Sequence, residues 1–99
     1  MNKAEKEAYN EAINRFNGCC ALCGRNNIHL HHIRYGAEGR KTYIGNIIPL
    51  CEEHHRAVHQ NKKYWQPILL QITEKSLDGE SYTEILRDNI KQIYGGIYK

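Results

Sequence analysis

The chain has 99 residues, of which 40 % are hydrophobic and 25 % charged, and its formal net charge is +3 at pH 7. This length predicts one small domain, and the composition argues against both a disordered and a membrane-spanning chain. The charged N-terminal segment is followed by no apolar run, so we expect no signal peptide and a cytoplasmic location. Four cysteines and six histidines in such a chain favour metal binding over a disulfide framework.

The first predicted elements are a helix and a short strand. Alanines recur every four positions before Phe16, which predicts an amphipathic helix that ends at Asn17-Gly18. Ile28 to Ile33 is predicted to be a strand. Strict alternation along a strand would point His31 and His32 to opposite faces, so the strand must end or kink near this pair if both serve one site.

A loop, a return strand and a helix follow. Glycine and charged residues between positions 34 and 41 predict the loop. Apolar and β-branched residues from Thr42 to Leu50 predict the return strand, interrupted at Gly45-Asn46. The segment from Glu52 to Gln60 is predicted to be a helix, because two acidic residues in its first turn suit the positive end of a helix dipole.

Two more helices are predicted in the C-terminal part. The first is expected to begin near Tyr64 or Pro67 and to end at Asp78-Gly79. The second follows a capping box that starts at Ser81, and glycines at positions 95 and 96 are expected to end it.

Two pairs of metal-ligand residues have matching spacing. Cys20 and Cys23 are separated by two residues, as are Cys51 and His54. Together they predict a closed, tetrahedral structural Zn²⁺ site, with Cys19 left over as a small, partly buried residue. A redox Cys-x-x-Cys is the competing interpretation, but it would need a thioredoxin-like parallel sheet and a helix that starts at the first cysteine, and neither is apparent.

A second metal site is predicted from the remaining histidines. His55 and His59 are four positions apart, which places both imidazoles on one helix face, and His31 is expected to join them. Three neutral imidazoles leave open positions on a divalent ion for water and a phosphate oxygen. His32, next to this site but outside the ligand set, is the candidate general base, because an imidazole can accept a proton near neutral pH.

Four segments of the chain together resemble the HNH endonuclease motif in its zinc-bearing form. They are Cys20-x-x-Cys23, His31-His32-Ile33, Asn46-Ile-Ile-Pro-Leu-Cys51 and His54-His55-x-x-x-His59. The resemblance covers about residues 19 to 59 and implies an α+β fold, in which a ββα-metal (His-Me finger) core with a structural zinc clip is flanked by helices. Members of the family hydrolyse phosphodiester bonds of DNA with the help of a metal ion.

The resemblance also implies roles for single residues. His32 would be the general base, and Asn46 would fix the loop that orients it. His55 would be a ligand of the catalytic ion together with His31 and His59, as in the colicin-type nucleases. The implied organisation is one nuclease domain over residues 1–99, with an N-terminal helix at about 2–17, the core at about 18–61 and a helical extension at about 62–96.

The chain departs from many members of the family at two positions. His54 stands where many zinc-bearing members have a fourth cysteine, and His31 stands where some members have an aspartate. A site of three imidazoles and no carboxylate suits Mn²⁺, Ni²⁺ or Zn²⁺ at least as well as Mg²⁺, because Mg²⁺ prefers oxygen ligands. All four ions therefore stay candidates for the catalytic position.

DNA is the expected partner, and no membrane association is expected. Five basic residues are expected to contact phosphates without reading sequence: Arg34, Arg40, Lys41, Lys62 and Lys63. One ion and one base can cut only one DNA strand at a time, so a monomer is expected to nick. Cutting both strands would need a homodimer or two separate binding events. The chain is also similar to small nucleases of phages and mobile elements, which implies a phage DNA-processing complex as one context.

Two other functions stay open at this point. One is a zinc-binding module that binds nucleic acid without cutting it. The other is an accessory subunit whose C-terminal helices dock on a larger DNA-processing complex. A module that only binds would hold one zinc tightly and show no hydrolysis, whereas an obligate accessory subunit would expose apolar surface and associate with itself.

Overall fold

The structure is a computed structural model that describes residues 2–34 and 42–94. Within this part the chain forms a small α+β domain with four α-helices and a two-stranded sheet. The elements are α1 (Lys3–Arg15), β1 (Ile28–His32), β2 (Ile47–Cys51), α2 (Glu52–Gln60), α3 (Lys62–Leu77) and α4 (Tyr82–Tyr94). The predicted phosphate contacts Arg40 and Lys41 and the glycines at 95 and 96 lie outside the described residues.

Helix α1 has defined caps at both ends. The Glu5 amide donates to Asn2 Oδ1 over 2.8 Å in a capping box, so the helix begins at Lys3. After α1, Asn17 (φ 55°) and Gly18 (φ 70°) both lie in the left-handed region, which confirms the predicted end of the helix. The alanine face of α1 packs against Ile47 at the start of β2.

The two strands are antiparallel and pair from Ile28 with Cys51 to His32 with Ile47. β1 begins at Ile28, as predicted, and ends at His32, one residue before the predicted Ile33. β2 begins later than predicted, because Ile44–Asn46 form a 3₁₀ turn in which the Asn46 amide donates to the Tyr43 carbonyl. All five residues of β2 are buried, so this strand lies in the centre of the domain.

Helix α3 begins earlier than the predicted Tyr64 or Pro67, since its first residue is Lys62 and only Asn61 separates it from α2. Pro67 therefore lies inside the helix. A proline at this position removes one hydrogen bond, to the carbonyl of Lys63, and that carbonyl belongs to an exposed residue near the helix start, where water can replace the amide. The predicted end is confirmed, with Asp78 as the C-cap and Gly79 at φ 100°.

Helix α4 is fastened to the turn that follows α1. Ser81 caps the helix by accepting the Glu84 amide, as predicted. The Tyr82 hydroxyl donates to the Cys20 carbonyl over 2.6 Å, and Asn89 Nδ2 donates to the Ala21 carbonyl over 2.7 Å. These contacts place α4 directly behind the cysteine turn. None of the helices described here is long and apolar enough to cross a membrane.

Candidate metal centres

Cys20 and Cys23 lie in a tight turn between α1 and β1. The Gly24 amide closes this turn by donating to the Cys20 carbonyl over 3.0 Å, and the Leu22 amide points at Cys20 Sγ over 3.4 Å. Gly24 has φ 84°, a conformation that a side chain would strain. The turn therefore holds both thiols on one side of the backbone.

Cys51 and His54 complete a group of four possible ligands. Cys51 is the N-cap of α2, and His54 lies in the first turn of that helix. The four ligand atoms all lie within 4.8 Å of one another. Cys23 Sγ is 3.7 Å from Cys51 Sγ, and His54 Nδ1 is 3.7 Å from Cys20 Sγ and 3.3 Å from Cys51 Sγ.

These distances suit a tetrahedral ion. Thiolates bound to zinc at about 2.3 Å lie about 3.8 Å apart at the corners of a regular tetrahedron. The distance of 3.7 Å between Cys23 Sγ and Cys51 Sγ is too long for a disulfide, and all four cysteines, Cys19 included, are free thiols. The group formed by Cys20, Cys23, Cys51 and His54, as the sequence predicted, could therefore bind a metal ion such as zinc. We call it the Cys/His group.

The charges in the Cys/His group also favour a cation. Burial raises the pKa of Cys23 to about 12, an effect that the Arg25 amide opposes and the neighbouring Cys20 reinforces. Burial acts in the same direction on Cys51, but hydrogen bonds from the His54 amide and the neighbouring thiols lower its pKa overall. Thiols packed this closely resist ionising together unless a positive ion balances them.

His31, His55 and His59 form a second group, which we call the histidine triad. Their ligand atoms lie within 4.8 Å of one another, and the Nε2 atoms of His55 and His59 are 3.1 Å apart. The His31 ring centroid is 5.2 Å from each of the other two. His31 is buried whereas His59 is exposed, so the triad is open to solvent on one side.

The electrostatics of the triad suit a metal ligand. Burial, reinforced by the charges of His55 and His59, lowers the pKa of His31 to about 4. Burial and the charge of His59 also lower the pKa of His55. Both shifts favour the neutral imidazole, which is the form that coordinates metal ions.

The start of α2 explains how neighbouring histidines serve different groups. The helix begins directly after β2, so that its first residues lie beside the sheet. Successive helical residues are rotated by about 100°, which turns His54 toward the cysteines and His55 toward β1. In β1, His31 lies opposite Ile48 and its ring contacts His55, so the strand supplies the third imidazole.

His32 lies outside both groups, on the other side of β1 from His31. Its Nε2 is 2.9 Å from the Thr42 hydroxyl, and its ring meets the Tyr9 ring edge to face with centroids 6.4 Å apart. His32 is nevertheless close enough for its charge to contribute to the lowered pKa of His31. The alternation of the strand is thus retained, and the two imidazoles lie on opposite sides of the end of β1.

Asn46 fixes the chain directly after His32. Its side-chain Oδ1 accepts the Arg34 amide over 2.8 Å, and its backbone carbonyl accepts the Ile33 amide over 2.8 Å. Asn46 is buried, so these bonds are shielded from water. Asn46 therefore holds the two residues that follow His32.

Two contacts near the triad had no signal in the sequence. Thr42 meets His32 only because the chain returns to the end of β1 after residue 41. His29 is exposed and its ring stacks on that of His55, with centroids 5.5 Å apart and planes 20° apart. Both contacts depend on tertiary structure, which local spacing does not encode.

The predicted phosphate contacts Arg34, Lys62 and Lys63 are all exposed. Lys62 is near enough to the triad for its charge to lower the pKa of His31.

Comparisons of the chain with protein-family models, with curated proteins and with solved structures find no match. The two groups and their surroundings are therefore the features that indicate a function.

Proposed function

We propose that this protein is a metal-dependent DNA endonuclease of the HNH type, with β1, β2 and α2 as its ββα-metal core. One observation carries the proposal: a four-ligand group and an open triad of imidazoles both take ligands from α2, and the buried His32 directly follows His31 of the triad in β1. A closed ligand set is typical of a structural site, whereas an incomplete set leaves room for a substrate.

The residues present fit two metal ions. The Cys/His group would hold a structural zinc, and the histidine triad would hold a divalent ion such as Mn²⁺, Ni²⁺, Zn²⁺ or Mg²⁺. When bound, the second ion supplies Lewis-acid polarisation of the scissile phosphate and charge neutralisation at the leaving 3′ oxygen. The triad's nitrogen-only ligands favour the first three of these ions over Mg²⁺.

The proton transfer is assigned to His32. Its imidazole takes a proton from the attacking water, the new P–O bond forms in line, and the bond to the 3′ oxygen breaks, which leaves a 5′ phosphate. The hydrogen bond with Thr42 and the Asn46 bonds to the next two residues hold the ring in place. Asn46 and Thr42 are therefore positioning residues.

DNA binding is assigned to the exposed basic residues. Arg34 directly follows the strand end, and Lys62 and Lys63 begin α3 beside the triad. Their cations would contact phosphates on either side of the cut without selecting a sequence. Arg40 and Lys41 are assigned the same role from the sequence alone.

The proposal is tested by nicking of supercoiled plasmid with zinc-loaded protein and added Mn²⁺, Ni²⁺, Mg²⁺ or no metal. Removing a general base typically lowers a rate by about 10²-fold or more, so His32→Ala should lose nicking by at least this factor. Gln71→Ala, which changes an exposed side chain of α3 outside both groups, is the control and should keep most of the activity.

Two results would contradict the assignment. Equal nicking by His32→Ala and the unchanged protein would mean that His32 is not the base. A folded, DNA-binding protein that cuts with none of the metals would instead be a zinc-binding module without catalysis.

A further inference from the structure

An aromatic pair lies at the start of α3. The rings of Tyr64 and Trp65 are stacked, with centroids 5.1 Å apart and planes 14° apart. Tyr64 is 50 % exposed, which makes it the most exposed large hydrophobic residue in the described part of the chain. Because Trp65 covers one face of the Tyr64 ring, the other face is the one available to a ligand.

Trp65 holds this pair in a fixed place. Its ring meets the edge of the His54 ring, with centroids 6.4 Å apart, and it packs against the main hydrophobic core. Its amide donates to the Asn61 carbonyl over 3.2 Å. Tyr64 is thus supported by a residue that is itself fixed against the Cys/His group, and little ordering would be needed on binding.

The charges around the aromatic pair are positive. Lys62 and Lys63 directly precede it, both exposed, and the first turn of α3 carries no acidic residue. Lys62 is also the basic residue whose charge reaches His31 of the triad. The aromatic pair therefore lies against the Cys/His group, directly after two exposed cations, in a field that attracts polyanions.

We infer that Tyr64, backed by Trp65, is a stacking platform for an unpaired nucleobase, and that the substrate is DNA with unpaired nucleotides beside the scissile phosphate. Cations that bind the backbone next to an aromatic ring that stacks on a base are the combination used for single strands. Bases inside a continuous duplex are stacked on each other and offer no free face. This inference rests on the proposed function for the identity of the reaction, whereas the binding surface is argued independently of it.

Binding is measured apart from cutting. Trp65 is the single tryptophan of the chain, so its fluorescence reports directly on the platform. Zinc-loaded protein carrying His32→Ala is titrated with a short single-stranded oligonucleotide and with a duplex of the same length. Stacking on the Tyr64–Trp65 pair should change the fluorescence with the single strand, and the single strand should bind more tightly than the duplex.

Substitutions at Tyr64 identify the contact. Stacking of one base on an aromatic ring contributes enough affinity that its loss weakens binding by about fivefold or more. Tyr64→Ala should therefore weaken single-strand binding by at least this factor and leave duplex binding unchanged, while Tyr64→Phe retains the affinity. Tyr43→Ala is the matched control, since Tyr43 is 45 % exposed on the segment before β2, and it should bind as the parent does.

Several outcomes would overturn the inference. One is a single-strand affinity of Tyr64→Ala equal to that of its parent, and another is an equal loss of affinity for single strand and duplex. Self-association in sedimentation that Tyr64→Ala abolishes would show that a second copy of the chain covers the surface. By contrast, Tyr64-dependent binding by a protein that never cuts would support the platform and refute the nuclease.

Discussion

At the scale of single residues, the hydrogen bond between His32 and Thr42 has the most direct consequence for chemistry. A buried imidazole has several rotamers and two tautomers, and a fixed partner at Nε2 selects among them. The sequence indicated His32 through its place beside His31. It did not indicate Thr42, because ten positions separate the two residues along the chain.

Thr42→Val tests this contact, because valine keeps the shape and removes the hydroxyl. A neutral hydrogen bond contributes about 0.5–1.5 kcal/mol, so the nicking rate should fall by up to about tenfold. We expect kcat to fall with little change in KM, and Thr42→Ser to restore the rate. A Thr42→Val enzyme with the parent rate and pH profile would show that the hydroxyl does not position the base.

At the scale of elements, local spacing predicted the ligands of the two metal groups but not the hydrogen bonds that support them. The ligands in the Cys-x-x-Cys turn lie within a few residues of one another, and so do the ligands on α2. Their spacing alone was therefore enough to predict the two groups. The support from α4 joins residues 62 and 68 positions apart, through Tyr82 to Cys20 and Asn89 to Ala21. No pattern in one sequence reports such contacts, although the amphipathic helix itself was predictable.

Asn89→Leu should therefore weaken metal binding by the Cys/His group, although Asn89 is not itself a ligand. Asn89 is 3 % exposed, and the leucine leaves the Ala21 carbonyl without this donor, at a cost of about 1–3 kcal/mol. We expect zinc to pass to a competing chelator at lower chelator concentration, as followed by a metal-sensitive dye. Arg87→Ala, an exposed change on the same helix, is the control and should behave as the parent does.

The same scale explains where the predicted boundaries were wrong. β2 starts late because residues 44–46 satisfy their backbone in a 3₁₀ turn, a choice that β-branched residues do not reveal. α3 starts early because burial of its apolar face outweighs the hydrogen bond that Pro67 removes. In both cases tertiary packing decided between alternatives that are close in local preference.

At the scale of the whole molecule, the domain is small and its core is shared among elements that meet at the Cys/His group. Buried Cys20 and Cys51 belong to the same core cluster as Phe16, Leu50 and Ile85. A chain of this length buries too little surface to be stable by a wide margin. Metal binding to the Cys/His group would therefore contribute folding free energy to every element.

Metal removal tests this coupling. A strong chelator in excess should abolish the helical circular dichroism, and one equivalent of Zn²⁺ should restore it. His59→Ala should lose nicking while its thermal unfolding stays close to that of the parent, because the triad is the open, solvent-facing group. Helical signal that survives complete zinc removal would show that the core folds without the Cys/His group.

Helix α2 has nine residues. It supplies one histidine to the Cys/His group and two to the histidine triad, and it buries Val58 in the core. A saturation-mutagenesis library scored for activity should accept little at positions 54, 55, 58 and 59, and should accept most changes at 52, 56, 57 and 60. Insertion of a single residue would rotate the remainder of the helix and separate the two groups. Substitutions that preserve function are thus confined to the positions of α2 outside the ligands and the core contact.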